Sequence, residues 1–166
     1  MAEYTTVFGS LEHYEKGKVI IVDDDPKAYV FSNIYEVANT SKPYEKVAVG
    51  KNLEYVLEAI RCEGTSEWRV TPHDEFALVM DGTVVIELLD PDGSLIDPEA
   101  QGSIGLADEP AGKRMGRVTA TQGHQTLLPA GKCYRFSCDG VGLILLQTIE
   151  GPDTIYRWAE ICQTEA

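Results

Sequence analysis

Short apolar runs separated by turn residues make up most of this chain. Lys18–Val22 is a β-branched run stopped by Asp23-Asp24-Asp25-Pro26, and Tyr29–Phe31 begins a second candidate strand. Ile34–Ala38 fits helix and strand equally well. Lys46–Val49 leads through Gly50-Lys51-Asn52 into Leu53–Ile60. There Leu53, Val56, Leu57 and Ile60 match a helical face, while Leu53, Tyr55, Leu57 and Ala59 match a strand face. The short, turn-punctuated neighbours favour strand. Phe76–Met80 and Val84–Leu89 flank Asp81-Gly82, a hairpin signal because glycine accepts positive φ without steric cost. Residues 117–121, 125–128, 133–136 and 141–148 read as further strands, with Gly123, Pro129, Gly131 and Gly140 at the turns. This succession predicts an all-β sandwich or barrel.

Three stretches break the pattern. Residues 1–16 are polar without a firm period and read as a docking arm or short helix. Asp90-Pro91-Asp92-Gly93 is a turn, and residues 94–116 form a long connection rich in Gly, Pro, Ala and acids, with a basic spot at Lys113-Arg114. After Gly151-Pro152-Asp153, the residues Ile155, Trp158 and Ile161-Cys162 recur at helical steps, with Asp153 or Thr154 as N-cap. The expected division is an N-terminal arm (1–16), a β-domain (17–150) and a C-terminal helical tail (151–166).

Composition narrows the class. The 166 residues carry a net charge of −13, which disfavours nucleic acid and anionic membranes as partners, and 43% of them are hydrophobic, enough for a core. No apolar run approaches the roughly 20 residues of a membrane span, and the N-terminus lacks signal-peptide features. Cys62, Cys133, Cys138 and Cys162 form no CxxC pair and fit no zinc-finger spacing. Reduced thiols in a cytoplasmic domain are the expectation.

The candidate chemistry lies in Pro72-His73-Asp74-Glu75, which feeds into the apolar run. Glu75, six residues and Gly82 reproduce the end of the first cupin motif. Gly123, five residues, Pro129-Ala130-Gly131, Lys132-Cys133 and Tyr134 reproduce the second up to its final histidine. The chain therefore resembles the cupin superfamily, which implies a single β-barrel (a double-stranded β-helix or jelly roll). A cupin metal site takes an H-x-H pair, the glutamate and the final histidine. Here the paired positions fall on Arg69 and Thr71, on Trp68 and Val70, or on Val70 and Pro72, and the last ligand is Tyr134. His73 and Glu75 with a tyrosine fall short of a His–His–carboxylate triad, so no tight metal is expected in this chain. On a regular strand Arg69, Thr71, His73 and Glu75 share a face, so Arg69 is expected to bring its charge to Glu75 in place of the metal.

A second resemblance covers residues 40–162. Lys42–Gly50, His73–Gly82, Glu109–Lys113, Gly123–Gln125, Leu128–Gly131 and Trp158–Cys162 are similar to the small (alpha) subunit of two-component hydroquinone 1,2-dioxygenases. That resemblance implies an oxidoreductase of aromatic-compound degradation in which Fe(II) sits in a separate large subunit. The complex, an α2β2 heterotetramer, uses O2 to open hydroquinone to 4-hydroxymuconic semialdehyde. This chain would be metal-free and without catalytic residues. Tyr156, Trp158 and Ile161 are the expected contacts with the partner or the substrate pocket, and Arg69, His73, Glu75 and Tyr134 the vestigial metal site. The alternatives are a stand-alone cupin enzyme with an irregular site at His73, Glu75 and Tyr134, or a small-molecule-binding cupin.

Overall fold

A computed structural model of the chain describes residues 9–14 and 33–157. The candidate strands at Lys18–Val22 and Tyr29–Phe31, and the positions of Trp158, Ile161 and Cys162, lie outside the described residues. Among the described residues one helix, α1 (Ile34–Thr40), precedes ten strands: β1 (Lys46–Asn52), β2 (Tyr55–Thr65), β3 (Trp68–Val70), β4 (Glu75–Asp81), β5 (Thr83–Pro91), β6 (Ile104–Leu106), β7 (Gly112–Thr121), β8 (Gln125–Leu128), β9 (Cys133–Ile149) and β10 (Thr154–Ile155). The ambiguity at Ile34–Ala38 resolves to helix. Asn33 Oδ1 accepts the amides of Tyr35 and Glu36, and Val37 and Ala38 bury against the outer face of the sheet.

The sheet is organised around β9, a single strand of 17 residues. Sequence punctuation divided it at Gly140. Instead the pairing slips there by a bulge, with Glu63 opposite Val141 and Gly64 opposite Cys138. On one side β9 pairs with β2 and then β3; on the other it pairs with β4 and then β5. Asp81-Gly82 is therefore no hairpin, because β4 and β5 do not pair with each other. They are two halves of one bent path along β9, β4 on residues 143–147 and β5 on residues 133–137. Gly82 forms the corner with φ +74, and a Cβ there would lie 2.8 Å from both Gly142 Cα and Val141 O. The positive φ suits either structure, which is why the local signal could not separate a hairpin from a corner.

Leu53–Ile60 is strand from Tyr55 onward, but its inward side is Val56, Glu58, Ile60 and Cys62, while Tyr55 and Leu57 face out. Leu53 sits in the β1–β2 turn at φ 57, outside either template. The long connection is partly ordered into β6, which pairs with β3, and Lys113-Arg114 belong to β7. At the C-terminal end, Thr154 and Ile155 do not start a helix. They run parallel to β1, with Lys46 opposite Thr154 and Val47 opposite Ile155, and Asp153 pairs with Arg69 instead of capping.

The curled sheet encloses a core of Ile60, Cys62, Ala77, Val79, Val84, Ile86, Leu128, Phe136, Ile144 and Leu146 among others. Cys62, Cys133 and Cys138 are buried free thiols. No helix among the described residues is long and apolar enough to cross a membrane.

Candidate functional site

Three strands and a bend bring polar side chains into one end of the barrel. Glu75 is the first residue of β4 and is fully buried; Tyr134, near the start of β9, is 1% exposed. Arg69 on β3 stands opposite Tyr134 in the ladder. His73 lies in the bend between β3 and β4 rather than on a strand, yet its Nε2 comes within 3.9 Å of Glu75 Oε1. His73 therefore comes near Glu75, although not through regular strand parity.

Its contacts differ from the expected charge substitution. Arg69 does not reach Glu75. Its guanidinium donates to Glu67 at 2.6 Å, Asp153 at 2.5 Å and the Ser103 carbonyl at 3.0 Å. Short-range partners from neighbouring loops captured it, and those loops carry no signal in the linear pattern. Glu75 Oε1 instead accepts the Thr148 hydroxyl at 2.6 Å, while Oε2 has no hydrogen-bond partner. Tyr134 Oη is likewise unpartnered. Burial and then the nearby Glu75 charge push the Tyr134 phenol well above its usual range, so it stays protonated.

His73 Nε2 accepts the Ile149 amide at 3.2 Å and lies 3.0 Å from Thr148 Oγ1. Accepting an N–H fixes the neutral tautomer with its proton on Nδ1. Burial lowers the His73 pKa below its ordinary 6.5, outweighing the pull of Glu75. A group whose folded pKa is depressed stabilises fully above its unfolded value and loses that contribution as pH falls through the folded one. We expect unfolding free energy to decline as pH drops below about 6.5, and His73→Gln to flatten that decline. Denaturant titrations of both proteins across this window check it; parallel curves would assign the slope elsewhere.

Two further charges were missed. Lys46 on β1 and Glu58 on β2 are 4% and 0% exposed and stand 3.2 Å apart, Nζ to Oε2. Lys46 Nζ also reaches Ser103 Oγ at 2.9 Å, and Glu58 Oε1 accepts the Thr154 hydroxyl at 2.7 Å. Burial raises the Glu58 pKa, with Lys46 opposing. The available signal was a charge inside an apolar strand (Glu58 between Leu57 and Ala59). Beside them opens a cavity of about 320 Å³ lined by Tyr44, Lys46, Glu67, Arg69, Tyr134 and Phe136 among others.

The donor set does not fit a cupin metal. No register of the histidine pair, whether Arg69 and Thr71, Trp68 and Val70, or Val70 and Pro72, holds an imidazole, and Tyr134 stands at the last position. The His73 Nε2 lone pair is already engaged by Ile149. Among the described residues, no cluster of three or more His, Cys, Asp or Glu could hold an ion. Of the expected contact residues, Tyr156 is 36% exposed with Lys51 Nζ 5.2 Å from its ring centre, while Trp158 and Ile161 lie outside the described residues.

The fold is that of a cupin β-barrel, and its polar end buries Glu75 and Tyr134 without an ion-holding cluster among the described residues. No family model matches the sequence, and no curated protein matches it. Solved structures do. Hydroquinone 1,2-dioxygenase from Sphingomonas sp. TTNP3, solved with 4-hydroxybenzoate, contains a chain 50% identical to this one at TM-score 0.92, covering 99% of this chain and 100% of that one. Hydroquinone 1,2-dioxygenase PnpCD, in complex with Cd2+ and 4-hydroxybenzonitrile, contains a chain 49% identical at TM-score 0.89, covering 98% and 99%. The chain belongs to the hydroquinone 1,2-dioxygenase subunit family. A PnpCD structure with Fe3+ also contains a longer chain of the same fold, 10% identical at TM-score 0.56, with 73% of this chain matching 32% of that one.

Proposed function

We propose that this chain is the metal-free small subunit of an Fe(II)-dependent hydroquinone 1,2-dioxygenase whose iron is held by a separate, larger subunit. The assembly is an α2β2 heterotetramer in the cytoplasm. The reaction breaks one ring C–C bond of hydroquinone and places both atoms of O2 in the product, 4-hydroxymuconic semialdehyde. One observation supports the reading: a full-length match to a dioxygenase chain coincides with a barrel in which no register of the cupin histidine pair holds a histidine and Tyr134 takes the last position. A ring-cleaving non-haem iron centre needs about three protein ligands and open positions for substrate and oxygen, which this donor set does not provide. The small subunit then contributes fold stability and contact surface to its partner.

Iron content and hydroquinone-dependent oxygen uptake, measured on the lone chain and on the chain co-expressed with its larger subunit, test the proposal. The lone chain should be iron-free and inert and the pair active. Iron with turnover in the lone chain would sink the reading and favour an irregular site at His73, Glu75 and Tyr134.

The tail from Trp158 onward, with Tyr156 at its base, supplies part of the contact in this reading. Truncation after Arg157 is the informative deletion. Cutting earlier would remove β10 and the Asp153 carboxylate that holds Arg69, and would confound contact with stability. The expected result is a folded chain that assembles more weakly with its partner; unchanged assembly would assign the contact elsewhere.

A further inference from the structure

Side chains of β1, β2, β3 and β9 line the cavity of about 320 Å³, and every residue of its wall is described. That volume sits at the lower end of the roughly 300–1,000 Å³ of small-molecule sites, room for a body of about one ring. The wall has two kinds of side chain. Ile60, Phe136 and Leu146 belong to the barrel core and give it an apolar floor. Lys46, Arg69 and Tyr134 are its buried polar side chains, at 4%, 9% and 1% exposure, and all three carry donors. They stand close together. Ser103 Oγ is 2.9 Å from Lys46 Nζ and 3.2 Å from Arg69 Nε, and Arg69 is opposite Tyr134 in the ladder. At the rim Tyr44 holds a left-handed φ of 62, tied by its amide to the Arg61 carbonyl at 2.9 Å and by its hydroxyl to the Gly64 carbonyl at 2.6 Å. Backbone strain held by such ties is common at ligand clamps.

Each of the three polar groups has donor capacity left among the described residues. The Lys46 ammonium faces Glu58 and Ser103 and keeps a further N–H. The Arg69 guanidinium serves Ser103, Glu67 and Asp153 and also keeps one. The Tyr134 hydroxyl has no acceptor, and a donor buried this deeply marks a place where an acceptor belongs. Charge limits what that acceptor can be. Glu58 offsets Lys46 inside the fold, whereas Glu67 and Asp153 are about half exposed, so water screens their hold on Arg69. Glu75, whose charge opposes any anion, is not part of the wall. The partial positive field that results suits one diffuse negative charge and not a phosphate dianion.

We propose that this cavity binds a small monocarboxylate with an apolar body of about one ring. The carboxylate accepts from Tyr134, Lys46 and Arg69, and the body lies against Ile60, Phe136 and Leu146. Charge-assisted donors fix the head, and burial of the apolar body supplies the rest of the affinity.

Benzoate is the probe, titrated by calorimetry and by methyl NMR into the lone full-length chain, with benzamide as its uncharged counterpart. Benzoate should bind and shift the Ile60 and Leu146 methyl signals, and benzamide should bind at least about tenfold more weakly. Tyr134→Phe should weaken benzoate about tenfold yet keep the thermal midpoint of the unliganded chain, because the hydroxyl it removes has no partner there. No binding at millimolar benzoate overturns the proposal, as does equal affinity for benzamide or binding that leaves both methyl signals in place. A lower midpoint for unliganded Tyr134→Phe shows the hydroxyl to be engaged within the fold and overturns it too. The site stands on this chain's own residues, so its failure leaves the two-subunit reading to its own test of iron content and oxygen uptake.

Discussion

Replacing Lys46 with methionine is expected to destabilise the chain by about 3–5 kcal/mol at pH 8, the usual range for removing one partner of a buried ion pair. The side chain is 4% exposed and faces Glu58, which is fully buried. Without the ammonium, Glu58 keeps only the Thr154 hydroxyl on Oε1. Its carboxylate would then bear the desolvation that Lys46 now offsets. Burial already raises the Glu58 pKa against the pull of Lys46, so losing Lys46 raises it further. A carboxyl with a raised folded pKa stabilises at low pH and loses that contribution as pH rises through the folded value. The loss in Lys46→Met should therefore shrink at pH 5 and grow toward pH 8. The double variant Lys46→Met/Glu58→Leu should recover most of the stability, because an apolar pair of similar volume avoids both desolvation penalties. Urea titrations of the three variants at both pH values decide this. A loss that does not change with pH would mean that packing of the lysine stem dominates over charge.

Gly82→Val is expected to cost roughly 3–4 kcal/mol, combining positive-φ strain with a backbone collision. A Cβ at Gly82 would lie 2.8 Å from Gly142 Cα and Val141 O, and neither of these backbone atoms can turn aside as a side-chain tip could. Relief requires β4 or β5 to move off β9, the strand that both share with β2. For a domain of this size the thermal midpoint should fall by about 6–15 °C. Gly64 provides the control: it has φ +72, with nothing within 4 Å of its would-be Cβ. Gly64→Val should cost roughly 1–2 kcal/mol from φ strain alone. Equal losses at the two glycines would refute the collision argument.

The contrast between these glycines also indicates which features can be read from a linear sequence. Positive φ is a local demand, and the turn chemistry at Gly82, Gly123 and Gly131 was legible for that reason. Whether the chain folds back at Gly82 or turns a corner depends on which strands flank it, and that was decided by β9. Its two halves look separate in sequence because Asp139-Gly140 resembles a turn. Strand pairing on both sides carries β9 through as a bulge.

At the site, Glu75 and Tyr134 were identifiable because motif spacing fixes their positions on the ladder. The fate of Arg69 was not. A long, charged side chain goes to its nearest anions, and Glu67 and Asp153 come from β-ends that only the closed barrel brings together. Lys46 and Glu58 escaped notice for a related reason: residues on adjacent strands pair across a register that no local period encodes.

The sequence by itself determined an all-β barrel and a resemblance to a dioxygenase subunit, because residue type and motif spacing are properties of the linear chain. Only the tertiary structure decided that β4 and β5 share β9, that Arg69 turns from Glu75 to Asp153, and that Thr154 and Ile155 run as a strand beside β1. These outcomes depend on distances between strands far apart in sequence, which hydrophobic alternation fixes in parity but not in partner.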